Sequence, residues 1–313
     1  MTAEFIEFAK AHGVLINPEK LDHSGRLSRC ATTDHPERRN GAYVWDGRGG
    51  FVFAWDGEGR AIAYNDPDAR PLTAAEKAKA EAKRAVYRAE RDHLARQAAE
   101  WAARMMTLAK PAEHGYLMLK GLPKVQGLVL PEGELFIPMR DVRTNALLGA
   151  QIVQWLPAEM RWEKKYLYGM RSKGACLRLG SARAAELVLV EGYATGLSVE
   201  AAVRQMRLNA AVLVTFSDHN LTHCASLTHG RRYVIADNDP AQADPVKAKQ
   251  NPGEQGQRAA AATGLGWAMS ETSGEDANDL HQRAGLMAVC ALVMRARAAD
   301  PVNPWAVAPE AVA

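Results

Sequence analysis

The chain has 313 residues, 47% hydrophobic and 24% charged, enough for a packed core in two or three folded units at the usual ~100–200 residues per domain. A net charge of +3 excludes a uniformly basic chain, so a nucleic-acid surface has to come from local clustering. The cysteines (Cys30, Cys176, Cys224, Cys290) lie far apart with no C-x-x-C pair, which excludes a four-cysteine zinc ribbon and a dithiol redox motif.

The N-terminal stretch MTAEFIEFAKAHGV has no signal-peptide core, and no apolar run approaches the ~20 residues of a membrane span. We therefore expect a cytoplasmic protein, with no membrane partner and with its thiols reduced. AEFIEFAKAHG reads as a short amphipathic helix closed by Gly13. GAYVWDGRGGFVFAWDGEGRAIAY then alternates aromatic and β-branched runs with Asp-Gly turns, the pattern of hairpins in a small β-rich module over 1–70.

In PLTAAEKAKAEAKRAVYRAERDHLARQAAEWAARMM, Thr73 and Glu76 stand at capping-box spacing, and Tyr87, Leu94, Ala98, Trp101 and Met105 share one helical face. The expectation is a long helical linker over 71–110 whose basic residues are solvated. From 111 to 182 the texture predicts short strands and turns: GYLMLKGLP, ELFIPMRD, ALLGAQIVQWLP and KKYLYGMRSKGACLRLG. Lys164, Lys165, Arg171, Lys173 and Arg178 cluster here with Tyr166 and Tyr168 between them. Ammonium and guanidinium groups with aromatic neighbours suit a phosphate backbone carrying stackable bases, although a lysine-guarded sheet edge has the same look.

The last third alternates apolar strands (ELVLV, AAVLVTF, RRYVIAD) with helical patterns (GLSVEAAVRQMR, NLTHCASLTHG, GEQGQRAAAATGL), which predicts a parallel α/β sheet over 183–297. Glu191 and Asp237 each directly follow a strand, so both carboxylates belong at one sheet edge, where ligands bind in such folds. Extended alternation puts Asp237 and Asp239 of IADNDP on the same side, with Asn238 opposite. Crowded carboxylates repel, and a hard divalent cation relieves them. Gly192 is expected to let the backbone approach closely at the turn, and Thr195 to cap the following helix. The insertion AQADPVKAKQNP (241–252) reads as a flexible loop, and 298–313 as a flexible tail.

LVLVEGYATGLSVEAA, YVIADNDP, GEQGQRAAAATG and GEDANDLHQRAG, in that order, resemble the Toprim domain of bacterial-type primases, topoisomerases and some nucleases. The most similar version is that of phage and plasmid replication primases. The resemblance implies a Rossmann-like parallel sheet with helices on both faces, with Glu191, Asp237 and Asp239 as catalytic residues. It also implies Mg²⁺ or Mn²⁺ held by these three together with Asp276 and Asp279. The upstream strands, with their Lys-Tyr-Leu and later lysine, are similar to the basic α+β subdomain of primases, and this assigns Lys165 and Lys173 to template and nucleotide.

The implied activity is synthesis of short RNA primers on single-stranded DNA from ribonucleoside triphosphates. A replicative helicase would be a separate partner, because the chain has no G-x-x-x-x-G-K-[ST] loop. A Mg²⁺-dependent nuclease and a catalytically inactive nucleic-acid-binding accessory are the alternatives. The front module of many primases binds zinc, but His23, Cys30 and His35 form an incomplete, irregular set, so zinc is not expected.

Overall fold

A computed structural model describes residues 2–55, 61–66, 72–243 and 253–299. The chain divides into two compact units, residues 1–90 with 241–253 and residues 91–240 with 254–313. Among the described residues, no helix is long and apolar enough to cross a membrane.

In the first unit, α1 (Thr2–Ala11) ends at Gly13, whose φ of 76° is the left-handed conformation that glycine adopts without strain. An antiparallel sheet follows: β1 (Val14–Leu15), β2 (Ser28–Thr32), β3 (Gly41–Trp45), β4 (Gly49–Ala54) and β5 (Ile62–Asn65), paired in chain order. Its core is aromatic, with Phe5 of α1 stacked on Trp45 at 4.3 Å between ring centroids. The expected Asp-Gly hairpin joins β3 to β4, where Asp46 Oδ1 accepts the N–H groups of Arg48 and Gly49. The second Asp-Gly, Asp56-Gly57, lies outside the described residues, as do most of the 241–252 insertion and residues 300–313 of the expected tail.

Helix α2 (Ala74–Leu108) opens on the expected capping box: Thr73 N–H donates to Glu76, and Glu76 N–H to the Thr73 hydroxyl. Of the sequence stripe, Ala98 is buried, while Trp101 and Met105 pack with the buried Ala102 around Leu130, Phe136 and Ala150. One expectation fails next. GYLMLKGLP is not a strand: Gly115–Leu119 form a one-turn helix, α3. His114 caps it, its Nδ1 accepting from Tyr116 N–H at 3.2 Å, and the turn buries Tyr116 and Leu117. A local cap overrides β propensity here.

The second unit is built on a sheet of ten strands: β6 (Lys110–Ala112), β7 (Gly127–Val129), β8 (Leu135–Asp141), β9 (Leu147–Leu156), β10 (Arg161–Tyr166), β11 (Ala175–Leu179), β12 (Glu186–Val190), β13 (Ala210–Val214), β14 (Arg231–Ala236) and β15 (Gly266–Met269). The main order is β10-β9-β8-β11-β13-β12-β14-β15. The pairs β13–β12, β12–β14 and β14–β15 are parallel. The blocks expected as 111–182 and 183–297 share this sheet, because β11 pairs antiparallel with β8 on one side and with β13 on the other. Pro138 is tolerated within β8 because it sits where one flank of that strand changes partner, from β7 at Phe136 to β11 at Arg140, and no ladder donor is needed there.

Alternation along the parallel strands sends side chains to two cores. Val188, Val190, Val212, Val214, Tyr233 and Ile235 face α4 (Tyr193–Gln205), α7 (Ala277–Ala284) and α8 (Leu286–Ala298). Leu187, Leu189, Leu213 and Val234 face α5 (Asp218–Leu227) and α6 (Gln255–Ala262). Fully apolar strands are what a sheet covered on both faces requires.

Candidate metal and acid-base site

The strands β12 and β14 are parallel neighbours in register from Glu186↔Arg231 to Leu189↔Val234. Each ends on a carboxylate, Glu191 after β12 and Asp237 after β14, so both acids emerge at the same edge, as the sequence predicts. A third acid comes from the next strand. β13 ends at Val214, its backbone turns through Phe216 at a φ of 67°, and Asp218 opens α5 behind the Ser217 cap.

Electrostatics shows how close these groups stand. Burial, a hydrogen bond with Asp218, and the charges of Asp218, Asp237 and Asp239 push the Glu191 carboxyl up to about 10. Burial and then the charges of Asp276, Asp239, Asp218 and Asp279 push Asp237 up to about 7. Asp237 Oδ1 is buried and accepts no hydrogen bond among the described residues. A buried carboxylate oxygen without a donor is costly unless it is protonated or meets a cation.

The segment 237–239 is held rigidly from outside the acid cluster. Asn238 points away from the site, its Nδ2 donating to Ser270 O, its Oδ1 accepting from Gln257 Nε2, and its own N–H donating to Glu275 O. Gln257 also donates to Asp239 O and accepts from Asp239 N–H. Gly256, in the first turn of α6, donates its N–H to Asp239 Oδ2 at 2.7 Å. A Cβ at Gly256 would stand 2.6 Å from Asp237 O, so only glycine allows this approach.

Asp276 and Asp279 open α7 as a reciprocal capping box: Asp276 Oδ1 accepts the N–H groups of Asn278 and Asp279, and Asp279 Oδ2 accepts Asp276 N–H. Thr195 does not cap α4 as expected. Its buried hydroxyl crosses to Asp276 Oδ2 at 3.1 Å, and Gly192 serves as a cap with no side-chain bond. Gly192 has an ordinary φ of −87°, so its use is not a special backbone conformation. A Cβ there would press to 3.2 Å against Thr195 Oγ1, the atom that holds Asp276.

The expected basic residues divide. Tyr166, at the end of β10, donates its hydroxyl to Phe216 O at 2.9 Å, and Phe216 N–H donates to Glu191 O, which ties the basic strand to the acid turn. Burial and then Glu191 raise the Tyr166 phenol to about 12. On the same strand Lys165 pairs with Glu163 at 2.7 Å, and Lys164 lies over the Tyr116 ring. Lys173 stands by α5, where burial and then its charge lower the His223 pKa. Arg171 is engaged with Asp92 at 2.8 Å. Arg178 stands opposite Leu213, the last residue but one of β13, on the α5 face of the sheet, and lines a cavity with Glu186 and Arg231, the first residues of β12 and β14.

Sequence reasoning missed Asp218, Gly256, Gln257 and Asn220. The rule that located Glu191 and Asp237, a carboxylate just past an apolar parallel strand, would have found Asp218 after AAVLV. Asn220 carries no such signal. Buried, it accepts from Gly174 N–H and donates to Ala175 O and Thr215 O, and so docks the Lys173 loop on the acid edge.

Three parallel strands each followed by a carboxylate, with burial and neighbouring charges pushing Glu191 and Asp237 up, beside a DxD segment, form the acid edge of a known domain type. Residues 186–286 match the Toprim domain. No curated protein matches the chain. The Toprim domain spans β12 to the start of α8, holds Glu191, Asp218, Asp237, Asp239, Asp276 and Asp279, and supports a Mg²⁺-binding, nucleic-acid-processing function.

The donor set of this Toprim domain fits such an ion. Among the described residues, no three His, Cys, Asp or Glu side chains form a ready cage. Mg²⁺ needs none, since it keeps several waters and takes one or two carboxylates together with substrate phosphates. Asp237 Oδ1 offers an open, buried ligand position, and Asp239 has a second oxygen beyond the one held by Gly256.

Proposed function

We propose that the protein is a primase of the phage and plasmid replication type, which joins ribonucleotides on a single-stranded DNA template. The observation that carries this reading is the Tyr166–Phe216 hydrogen bond. It anchors the strand bearing Lys164 and Lys165 directly at the Glu191 turn, so a strand of nucleic acid held by the cations would reach the acids. A nuclease needs the acids but not a basic sheet built into the same unit.

Asp237 and Asp239, with Glu191 beside them, would hold Mg²⁺, and the ion would supply positive charge for the nucleotide's phosphate oxygens. The charges of Asp276 and Asp279 oppose that of Asp237 and so add to the demand for a cation at this edge. In the reaction, a 3′-hydroxyl oxygen forms a bond to the α-phosphorus of a ribonucleoside triphosphate and loses its proton to solvent as the bond to pyrophosphate breaks. Glu191 holds a proton near neutral pH and is the group suited to give it to the departing pyrophosphate oxygen.

The test is incubation of the full chain with single-stranded templates of varied sequence, ribonucleoside triphosphates and Mg²⁺. Short oligoribonucleotides are expected from the wild type and none from Asp237→Asn. Shortening of labelled DNA without nucleotides would replace this reading with the nuclease. Inactivity in both assays with retained DNA binding would replace it with the accessory.

A further inference from the structure

The parallel strands have a second end. On the α5 face of the sheet, beside β11, a cavity of about 340 Å³ reaches Glu186 and Arg231, the residues that open β12 and β14. Its Glu186 end lies about 16 Å along the strand from Glu191, five residues at ~3.3 Å each, and its Arg178 side stands opposite Leu213 on the α5 face.

Among the described residues its lining is cationic, with Arg143, Arg178 and Arg231 around one carboxylate, Glu186. That carboxylate is already offset. Arg297 binds it through two nitrogens at 2.8 Å each, Arg231 reaches it at 3.0 Å, and the Tyr233 hydroxyl donates at 3.3 Å. Hydrogen bonds and charge from Arg297 lead the effects that hold the Glu186 pKa below its usual value. Asp141, beside Arg143, is occupied by the Thr144 hydroxyl and the N–H groups of Arg143 and Thr144. Two positive charges, those of Arg143 and Arg178, therefore face the cavity with no ion pair among the described residues.

Arginine forks match the oxygens of a phosphate group in a planar, two-point fashion, and leaving two of them uncompensated in a concave site favours a multivalent anion. Ala182, Ala184 and Ala185 leave room on one wall, and among the described residues no aromatic ring lines the cavity on which a base could stack. The ligand is recognised by its phosphates alone. We propose that this cavity is a phosphate-binding site separate from the acid edge, accepting a di- or triphosphate group. The inference does not depend on which reaction the acids perform.

The experiment is calorimetric titration of the full chain with inorganic pyrophosphate, without divalent cations. One site per chain is expected, unchanged in Asp237→Asn and weakened at least about tenfold in Arg178→Gln and in Arg143→Gln. Arg178→Lys, which keeps the charge but loses the fork, should fall between. Circular dichroism melts of each variant separate loss of binding from loss of fold. No binding by the folded wild type overturns the proposal, as does binding lost in Asp237→Asn but retained in Arg178→Gln. A ribonucleoside triphosphate and a single-stranded oligonucleotide, used as competitors against pyrophosphate, then name the source. Displacement by the triphosphate alone points to a free nucleotide, displacement by both to a backbone phosphate, and displacement by neither to pyrophosphate itself.

Discussion

Glu191 and Asp218 follow the neighbouring parallel strands β12 and β13 and face each other at the acid edge, so that after burial it is Asp218 that most raises the Glu191 carboxyl. The raised carboxyl has a thermodynamic consequence. A carboxyl whose folded-state pKa is raised keeps its proton when folded and releases it when unfolded, so it favours the fold less as pH rises. For Glu191 that loss spans pH 4.5 to about 10, and for Asp237 it spans 3.8 to about 7. The melting temperature of the metal-free protein should therefore fall between about pH 5 and about pH 8. Glu191→Gln, which removes the buried charge and keeps the shape, should flatten the fall above neutrality and raise stability there by about 1–3 kcal/mol. A wild-type melting temperature that rises over this range contradicts the burial of these acids.

Adding Mg²⁺ should reverse the same penalty. A ligand that binds only the folded state stabilises it by RT ln(1 + [L]/Kd), about 2.7 kcal/mol at a hundredfold excess over Kd. Thermal melts at about pH 8, with and without Mg²⁺, should show a clear upward shift for the wild type. For Asp237→Asn the shift should vanish, since the buried Oδ1 that no protein donor reaches would no longer carry charge. An undiminished shift in that variant places the ion elsewhere.

The geometry of the DxD segment depends on a contact with no tolerance. Gly256→Ala puts a Cβ 2.6 Å from Asp237 O and 3.2 Å from Asp239 Oδ2, and the backbone on one side has to move. Overpacking of this kind costs about 1–3 kcal/mol, and a displacement of about 1 Å at a reacting centre can cost about a hundredfold in rate. Stability by denaturant melts and catalytic rate should both fall, the rate by more than the loss of folded protein explains. Full activity in Gly256→Ala would mean that Asp239 is not held by this helix.

Much of this edge was legible in the sequence, for a simple reason. An apolar run ended by an acid encodes both the strand and the place where its carboxyl end meets solvent, so Glu191 and Asp237 could be placed from the chain alone. What stayed hidden depends on partners distant in the chain. Thr195 looks like a cap because its spacing from Gly192 is right, but Asp276, 81 residues away, takes its hydroxyl. Gly115–Leu119 looks like a strand because nothing local shows that His114 will turn its ring onto the next N–H. Arg178 falls in the same basic run as Lys173, but the pleat of β11 turns it to the α5 face of the sheet, where it lines a cavity reaching back to Glu186 and Arg231, and only the packing of that face shows this.

The Thr195–Asp276 contact can be tested without changing side-chain volume. Thr195→Val keeps the shape and removes the hydroxyl, so Asp276 Oδ2 loses its donor while the capping box, which uses Oδ1, stays intact. The stability cost should be about 1 kcal/mol, the usual net value of one hydrogen bond. Activity should fall further than stability, with the dependence on Mg²⁺ concentration shifted upward, because Asp276 is the largest charge acting on Asp237. A Mg²⁺ dependence identical to wild type confines Thr195 to packing.

The lysines beside the acid edge should be unequal. Lys165 is paired with Glu163 at 2.7 Å, with the lysine side chain 67% and the glutamate 15% exposed, so binding a phosphate means exchanging one partner for another. Exposed pairs of this kind are worth about 0–1 kcal/mol, which lowers the net contribution of Lys165 without cancelling it. Lys173 is exposed, makes no ion pair among the described residues, and sits on the loop that Asn220 fixes to the acid edge. Each phosphate contact on a single strand contributes a slope of about −0.7 to log K against log salt. Fluorescence anisotropy of a labelled single-stranded oligonucleotide, titrated across salt concentrations, should show Lys173→Ala reducing that slope by about 0.7 and Lys165→Ala by less. Equal slopes for both variants and the wild type would mean that single-stranded nucleic acid does not cross this edge.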